Sequence, residues 1–338
     1  MAKLLPGQQL HNRYIIEGLM GQGAMSTVYK AREIETPTIM WAVKEMLSDA
    51  MADGDQKAAE ALFRNEAALL ARLSHPALPQ VVDFFSEGPI HYIVMECISG
   101  MTLENVVERL GPYTEAEILP IALQLASCLR YLHENPGGAI IYRDLKPSNV
   151  MIEHEASTTG ARPNTRLNGH VKLVDFGIAR MFKPGKQKDT QPLGTPGFAA
   201  PEQYGAGQTT PQTDLYGLGA TLHYALTAKD PDPAGGRFAP LRTINFGVSE
   251  SFEALVAQMV ESEPSKRPGS ALEVMHRLEA VRNAQPTPAA SVGQTVIPTR
   301  IDIPYLKEWL RRTFSLRWLP AHAFILGLAL ILLALMFV

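Results

Sequence analysis

The sequence predicts an α+β chain of two lobes, a small β-rich lobe with one main helix and then a larger, mainly helical lobe, with a C-terminal transmembrane helix behind them. Three observations carry this. Short strand-like runs punctuated by glycine fill residues 14–96, broken by one stretch, AAEALFRNEAALLARL, whose apolar residues recur at three and four. Helical patterns dominate from Leu103 onward. From Trp318 the chain runs WLPAHAFILGLALILLALMFV, which as a helix is about 30 Å long, the thickness of a bilayer core.

In chain order, residues 1–13 read as an N-terminal extension without the charged-then-apolar pattern of an export signal. Residues 14–42 read as a hairpin sheet whose turn is GLMGQGAMSTVYKA, and the helix after Lys44 ends at His75-Pro76. Two further strands, QVVDFFSEG and IHYIVMEC, complete a small lobe over 14–96. The large lobe covers 99–282, with helices around 119–133, 214–227, 252–261 and 271–282. Within it, residues 153–170 are polar between two apolar runs and read as a long surface loop. Residues 283–317 form a Pro- and Thr-rich linker, in which Thr287, Thr295 and Thr299 are candidate phosphorylation sites, and a basic juxtamembrane segment. The span is expected at 318–338. Arg300, Lys307, Arg311, Arg312 and Arg317 precede it and nothing basic follows, so the positive-inside rule puts the N-terminal portion on the cytoplasmic side of a single-pass protein. In YLKEWLRRTF, Leu306, Trp309, Leu310 and Phe314 share one helical face suited to the lipid surface.

A chain of 338 residues with a net charge of −3 has the size for about two structural units and no electrostatic footprint for nucleic acid. Its two cysteines, Cys97 and Cys128, lie in apolar surroundings, which argues against a disulfide framework and for a reducing compartment.

The chemistry sits in four strings. The turn Gly21-Gln22-Gly23 lacks side chains that would keep backbone amides from phosphate oxygens, although two glycines in a hairpin are weak evidence alone. In MWAVKEM, Lys44 is a cation among apolar residues and requires an anion; Glu66 shares the inward helical face of Phe63 and Leu70, with Glu60 as competitor. In IIYRDLKPSNVMI, Asp144 stands on a turn where it can accept a hydroxyl proton. Lys146 can neutralise a transferred phosphoryl group, and Asn149 can bind a metal together with Asp175 of LVDFG. Two hard oxygen ligands suit Mg²⁺, which takes most of its coordination from substrate and water. Each aspartate alone reads equally well as a turn or cap residue; the ordered set does not.

In this order and spacing the motifs resemble those of a eukaryotic-like (Hanks-type) serine/threonine protein kinase, of the bacterial, membrane-anchored sort, over roughly residues 14–282. The resemblance implies the bilobal protein-kinase fold, ATP and Mg²⁺ (or Mn²⁺) as cofactors, and protein substrates presenting Ser or Thr. It implies autophosphorylation and allows a homodimer. It implies adenine hydrogen bonds from the backbone of Glu96 and Ile98, with Met95 as gatekeeper and Val28, Ala42 and Met151 around the base. By the same resemblance Lys44 meets the α- and β-phosphates, Lys146 marks the serine/threonine form of the catalytic loop, and Thr195 supports the substrate hydroxyl. Asp214 would brace the catalytic loop, and Glu202 would pair with Arg267 to clamp the activation segment. Thr190 is a phosphorylation candidate facing Arg143, with Thr195 as the alternative. Two departures stand out: Ser26 replaces the third glycine of the loop, and Tyr142 stands where histidine is usual, keeping a ring and a polar end.

Rival classes leave different marks. A pseudokinase or scaffold at the membrane would have lost Lys44, Asp144, Asn149 or Asp175, and all four are present. A small-molecule kinase is not expected to carry GTPGFAAPE with a paired Arg267. A receptor kinase would place a sensor beyond the span, whereas this sequence ends at Val338, so the input is expected from lipid, the linker or a partner.

Overall fold

A computed structural model describes residues 4–22, 26–47, 63–64, 67–88, 90–153, 169–175, 180–181, 194–204, 207–232 and 238–284. The chain divides into units Met1–Gln285 and Pro286–Val338, and every described residue belongs to the first. The juxtamembrane segment, the linker threonines and the expected span at 318–338 therefore lie outside the described residues. Among the described residues no helix is long and apolar enough to cross a membrane.

The small lobe is a six-stranded antiparallel sheet in the order β1-β2-β3-β4-β6-β5. The strands are β1 (Gln9–Leu10), β2 (Tyr14–Gln22), β3 (Ser26–Glu33), β4 (Met40–Leu47), β5 (Val81–Glu87) and β6 (Ile90–Glu96). Side chains alternate across a strand, so the two faces of the sheet collect different partners. On one face Tyr14, Ile16, Tyr29, Val43, Phe85, Tyr92 and Val94 form an aromatic-rich cluster. On the other, Ile93 and Met46 pack with Phe63 and Ala67, and residues 67–70 are helical. Lys44 falls on this second face because it is even-spaced from Ala42 and Met46.

The sheet starts earlier than the sequence suggested. Gln9 and Leu10 pair with Ile15 and Tyr14 through a turn in which His11 and Asn12 have φ of 48° and 50°. Leu10 is buried in the aromatic cluster, so Gln9 and Leu10 pack as an edge of the small lobe's sheet. Polar residues mask this in the sequence: Leu10 is the one core residue in QLHNR, too few for a period.

The large lobe contains α1 (Leu103–Leu110), α2 (Glu115–His133), α3 (Pro211–Thr227), α4 (Glu250–Met259) and α5 (Ala271–Ala284), the last running past the expected boundary at residue 282. Their starts are written locally. Thr102 accepts the Asn105 N–H to begin α1, Thr114 and Glu117 form a capping box for α2, and Ser249 accepts the Phe252 N–H to begin α4. Helix α3 is buried on every side from Thr213 to Thr227, which explains why its apolar pattern has no polar stripe. Around it packs one large core drawn from α1, α2, α4 and α5.

Short strands sit at the edge of this helical body. Strands β7 (Gly100–Thr102), β9 (Val150–Glu153) and β10 (Val171–Leu173) form one antiparallel sheet, and β8 (Ile140–Ile141) pairs with β11 (Arg180–Met181). The ends of the polar stretch meet where the Glu153 N–H donates to the His170 carbonyl at 2.9 Å; residues 154–168 lie outside the described ones. A hairpin thus delivers residues 144–149 at one end and Asp175 at the other to a common place.

Candidate active site

The loop after β8 is shaped by hydrogen bonds from the buried interior. Asp214, on the first turn of α3 and 1% exposed, accepts the Tyr142 N–H at 2.9 Å and the Arg143 N–H at 2.7 Å. His133, at the end of α2, bonds the same carboxylate at 2.8 Å. The Arg143 carbonyl accepts from Gln203 Nε2 at 2.8 Å, and Arg143 itself adopts φ 73°. A left-handed φ at a non-glycine residue persists only where its surroundings over-determine it, and here bonds on both sides of the residue do so. Close approach of α3 to the loop depends on Gly217, where a Cβ would stand 3.0 Å from the Leu145 carbonyl oxygen.

That loop aims Asp144 into a polar cluster. Its Oδ1 accepts from the Thr195 hydroxyl at 3.0 Å; its Oδ2 accepts from Asn149 Nδ2 at 2.9 Å and lies 3.0 Å from Lys146 Nζ. Lys146 also donates to Thr195 Oγ1 at 2.6 Å, closing a triangle of carboxylate, ammonium and hydroxyl. Asn149 Nδ2 further holds the Asp144 carbonyl at 2.9 Å, which leaves Oδ1 of Asn149 as the acceptor available to a cation. One ammonium and two neutral donors thus converge on the Asp144 carboxylate.

Lys44 is buried on β4, opposite Val28 and Ile93, and its ammonium pairs with Asp175 Oδ1. The expected partner, Glu66, lies outside the described residues, as does Glu60. Asp175 has φ 69° and a side chain 44% exposed. Two bonds hold the residue before it: the Val174 N–H donates to the Asn149 carbonyl at 2.9 Å, and the Tyr142 hydroxyl donates to the Val174 carbonyl. Tyr142 is completely buried, and burial together with nearby carboxylates pushes its phenol well above the ordinary value, so it stays a proton donor. The residue that departs from the expected histidine thus positions the strand end bearing Asp175. Asn149 and Asp175 are oxygen donors linked through one short backbone bond, and a small, hard divalent cation fits that donor set.

The other residues expected to meet the nucleotide are placed by strand register. Ala42 lies directly across from Met95, Gly21 across from Val28, and Met151 on β9 across from Thr102, in the strand that follows Ile98. The Glu96 N–H is occupied by the Gln80 carbonyl at 2.9 Å. Cys97 is free, and burial pushes its thiol up. Gly23 and the tip of its turn lie outside the described residues, and so do Phe176, Gly177 and Thr190.

Farther along, Glu202 and Arg267 make a bidentate pair at 2.7 and 2.9 Å. Arg267 also donates to the carbonyls of Glu261, Gln212 and Ser262, and its guanidinium lies 5.0 Å from the Tyr216 ring. The Tyr216 phenol is pushed up to about 12, raised by burial and partly relieved by the arginine. The Thr213 hydroxyl adds a bond to Glu202 at 2.8 Å. A buried pair satisfied this fully ties the segment after Thr195 to α3 and to the residues before α5.

Four contributors escaped sequence reasoning. His133 and Gln203 brace the catalytic loop, Thr213 completes the Glu202 pair, and Lys172 on β10 reaches Glu96. A signal existed for His133, a polar residue closing a helix otherwise destined for the core. None existed for Lys172, which reads as an ordinary strand lysine.

Comparison with known proteins agrees with this geometry. The family model described as "Protein kinase domain" matches residues 14–278. Serine/threonine-protein kinase PknB of Mycobacterium tuberculosis is 31% identical over 301 residues, covering 84% of this chain and 45% of that protein. Serine/threonine-protein kinase PrkC of Bacillus subtilis is 33% identical over 229 residues, covering 68% and 32%. The crystal structure of the Mycobacterium tuberculosis PknI kinase domain superposes with a TM-score of 0.62 at 22% identity, over 82% of this chain and 99% of that one, a likeness of fold. The chain spans under half the length of PknB and about a third of PrkC.

Proposed function

Because the chain belongs to the protein kinase family and is an enzyme of its serine/threonine kind, we propose that it transfers the γ-phosphoryl group of ATP to Ser and Thr hydroxyls of proteins, its own included. The observation that carries this is the triangle of Asp144, Lys146 and Thr195 with Asn149 behind it. In this reading a substrate hydroxyl approaches Asp144 and passes its proton to the carboxylate as its oxygen bonds to the γ-phosphorus. The bond to the β-phosphate oxygen breaks and ADP leaves. Lys146 offsets charge on the moving phosphoryl group, and Thr195 holds both groups in register. Lys44 meets the α- and β-phosphates with Asp175 as its fixed neighbour. Asn149 and Asp175 would hold Mg²⁺, or Mn²⁺, which when bound neutralises phosphate charge.

The proposal extends to a cytoplasmic enzyme domain attached to a membrane by residues 318–338, supported by the apolar run and the basic residues before it. Protein substrates then meet the site at the lipid surface.

Incubating the full chain with labelled ATP and Mg²⁺, beside its Asp175→Ala variant, tests the reaction. Label on protein Ser/Thr in the wild type and its loss in the variant are expected; equal label in both would refute the assignment. For attachment, the full chain is expected to sediment with membranes and a chain lacking residues 318–338 to stay in the supernatant. Sedimentation of both would remove the span from the account.

A further inference from the structure

Strand β10 carries a cation that the chemistry above leaves unused. Lys172, whose side chain is 11% exposed, places its ammonium 2.7 Å from Glu96 Oε2 and 3.4 Å from the Leu78 carbonyl. The Gln80 N–H donates to that same Glu96 oxygen at 3.3 Å, and the Glu96 N–H returns to the Gln80 carbonyl at 2.9 Å. One residue on, the Leu173 N–H donates to the Ala77 carbonyl at 2.8 Å. Three segments therefore meet on one lysine: the end of β6 where the small lobe hands over to the large one, the 77–80 segment, and the strand leading to Asp175.

Of these contacts, the Lys172–Glu96 pair alone joins β10 directly to the end of β6. The Leu173 bond ties β10 to Ala77 and does not reach the hinge. The lysine stem is covered, and the glutamate remains 37% exposed, so water tempers the attraction while the geometry stays directional.

We infer that Lys172 is a positioning residue for the nucleotide: through Glu96 it sets the separation between the backbone that meets adenine and Asp175, three residues downstream, at the phosphate end. The inference rests on the nucleotide reading of this site proposed above. A ligand that touches both ends at once feels any change in that separation, whereas one touching the hinge alone does not. The tie acts on binding in register and leaves Asp144, Lys146 and Thr195 untouched, so its removal falls on KM for ATP more than on kcat.

The test uses the full chain. Lys172→Met keeps most of the stem and removes the charge. An exposed-to-half-buried ion pair is worth about a fivefold change in affinity, so KM for ATP is expected to rise about fivefold with kcat within about twofold. Adenosine, which reaches the hinge and not the metal end, should bind as in the wild type. Glu96→Gln is expected to shift KM the same way, and the charge swap Lys172→Glu with Glu96→Lys to recover most of the loss. A fall in melting temperature with KM for ATP unchanged would reduce Lys172 to a structural residue and overturn the inference. So would equal weakening of adenosine and ATP, or a swap no better than either single change. A wild type that turns over ATP while Asp144→Asn does not keeps the underlying kinase reading intact whichever way Lys172 behaves; a wild type inert toward ATP overturns both.

Discussion

The acceptor side of the site and its nucleotide side are secured in different ways. On the acceptor side, backbone and side-chain bonds from α2, α3 and the 201–204 turn converge on residues 142–149, and the carboxylate at their centre, Asp214, is fully buried. On the nucleotide side, the contacts between the lobes at the phosphate end include the ion pair of Lys44 with Asp175, whose aspartate is nearly half exposed. The first arrangement presents a proton acceptor without reorganisation, which is what electrostatic preorganisation requires. The second consists of charges that a nucleotide and a cation can claim for themselves. Substitutions on the two sides should accordingly separate stability from chemistry.

The largest separation is expected at the reacting groups. Asp144→Asn should lower kcat by about a thousandfold, in the range ascribed to a positioned acid or base, while ATP affinity measured by calorimetry stays close to wild type. Lys44→Met should likewise abolish turnover but weaken ATP binding. An Asp144→Asn protein that turns over normally would remove the acceptor assignment.

Next comes the clamp. Arg267→Ala leaves Glu202 buried with one hydroxyl partner, and breaking such a pair costs about 3–5 kcal/mol. Chemical denaturation is the readout. Arg267→Lys should recover little, since an ammonium cannot make the fork or reach three carbonyls. A loss below about 1 kcal/mol would contradict the pair's role in stability.

Tyr142→Phe is a smaller change. It deletes the bond to the Val174 carbonyl and keeps the ring, at about 1 kcal/mol of stability, with a modest loss of kcat because Asp175 is less well placed. Because the phenol stays protonated, wild-type activity should show no inflection from this residue between pH 5 and 9. Tyr142→His should introduce one, and identical pH–rate profiles would argue against the contact.

The smallest expected effect is on stability with acid. Burial lowers the pKa of His223, whose ring bonds the Ala239 carbonyl, and burial lowers that of His75. The folded state then binds protons less readily than the unfolded chain. Stability is complete above the ordinary histidine range and declines as pH falls below about 6.5. His223→Gln should flatten the dependence of melting temperature on pH over 7 to 5; an unchanged slope would assign the acid sensitivity elsewhere.

Much of this was readable without coordinates. The strings around Asp144, Asp175 and Glu202 are short-range patterns in which residue type and spacing carry the chemistry, and the caps at Thr102, Thr114 and Ser249 are local in the same sense. The structure places Asp214 and the Glu202–Arg267 pair as the resemblance implied. What remained hidden were residues that look ordinary until their partner is known. Leu10 carries no period of its own, and Lys172 is one charged residue in a short strand.

The sequence by itself set which groups are present and in what order: a proton acceptor, a phosphate-facing lysine, two oxygen ligands, an apolar-rich central helix. Tertiary structure alone decided who meets whom. Lys44 and Asp175 are 131 residues apart, Lys172 and Glu96 are 76 apart, and Asp214 lies 72 residues from the Tyr142 amide it accepts. No local rule selects among carboxylates at such distances. The choice follows from burial, which brings particular faces of β4, β10 and α3 together and favours pairing of the charges carried there.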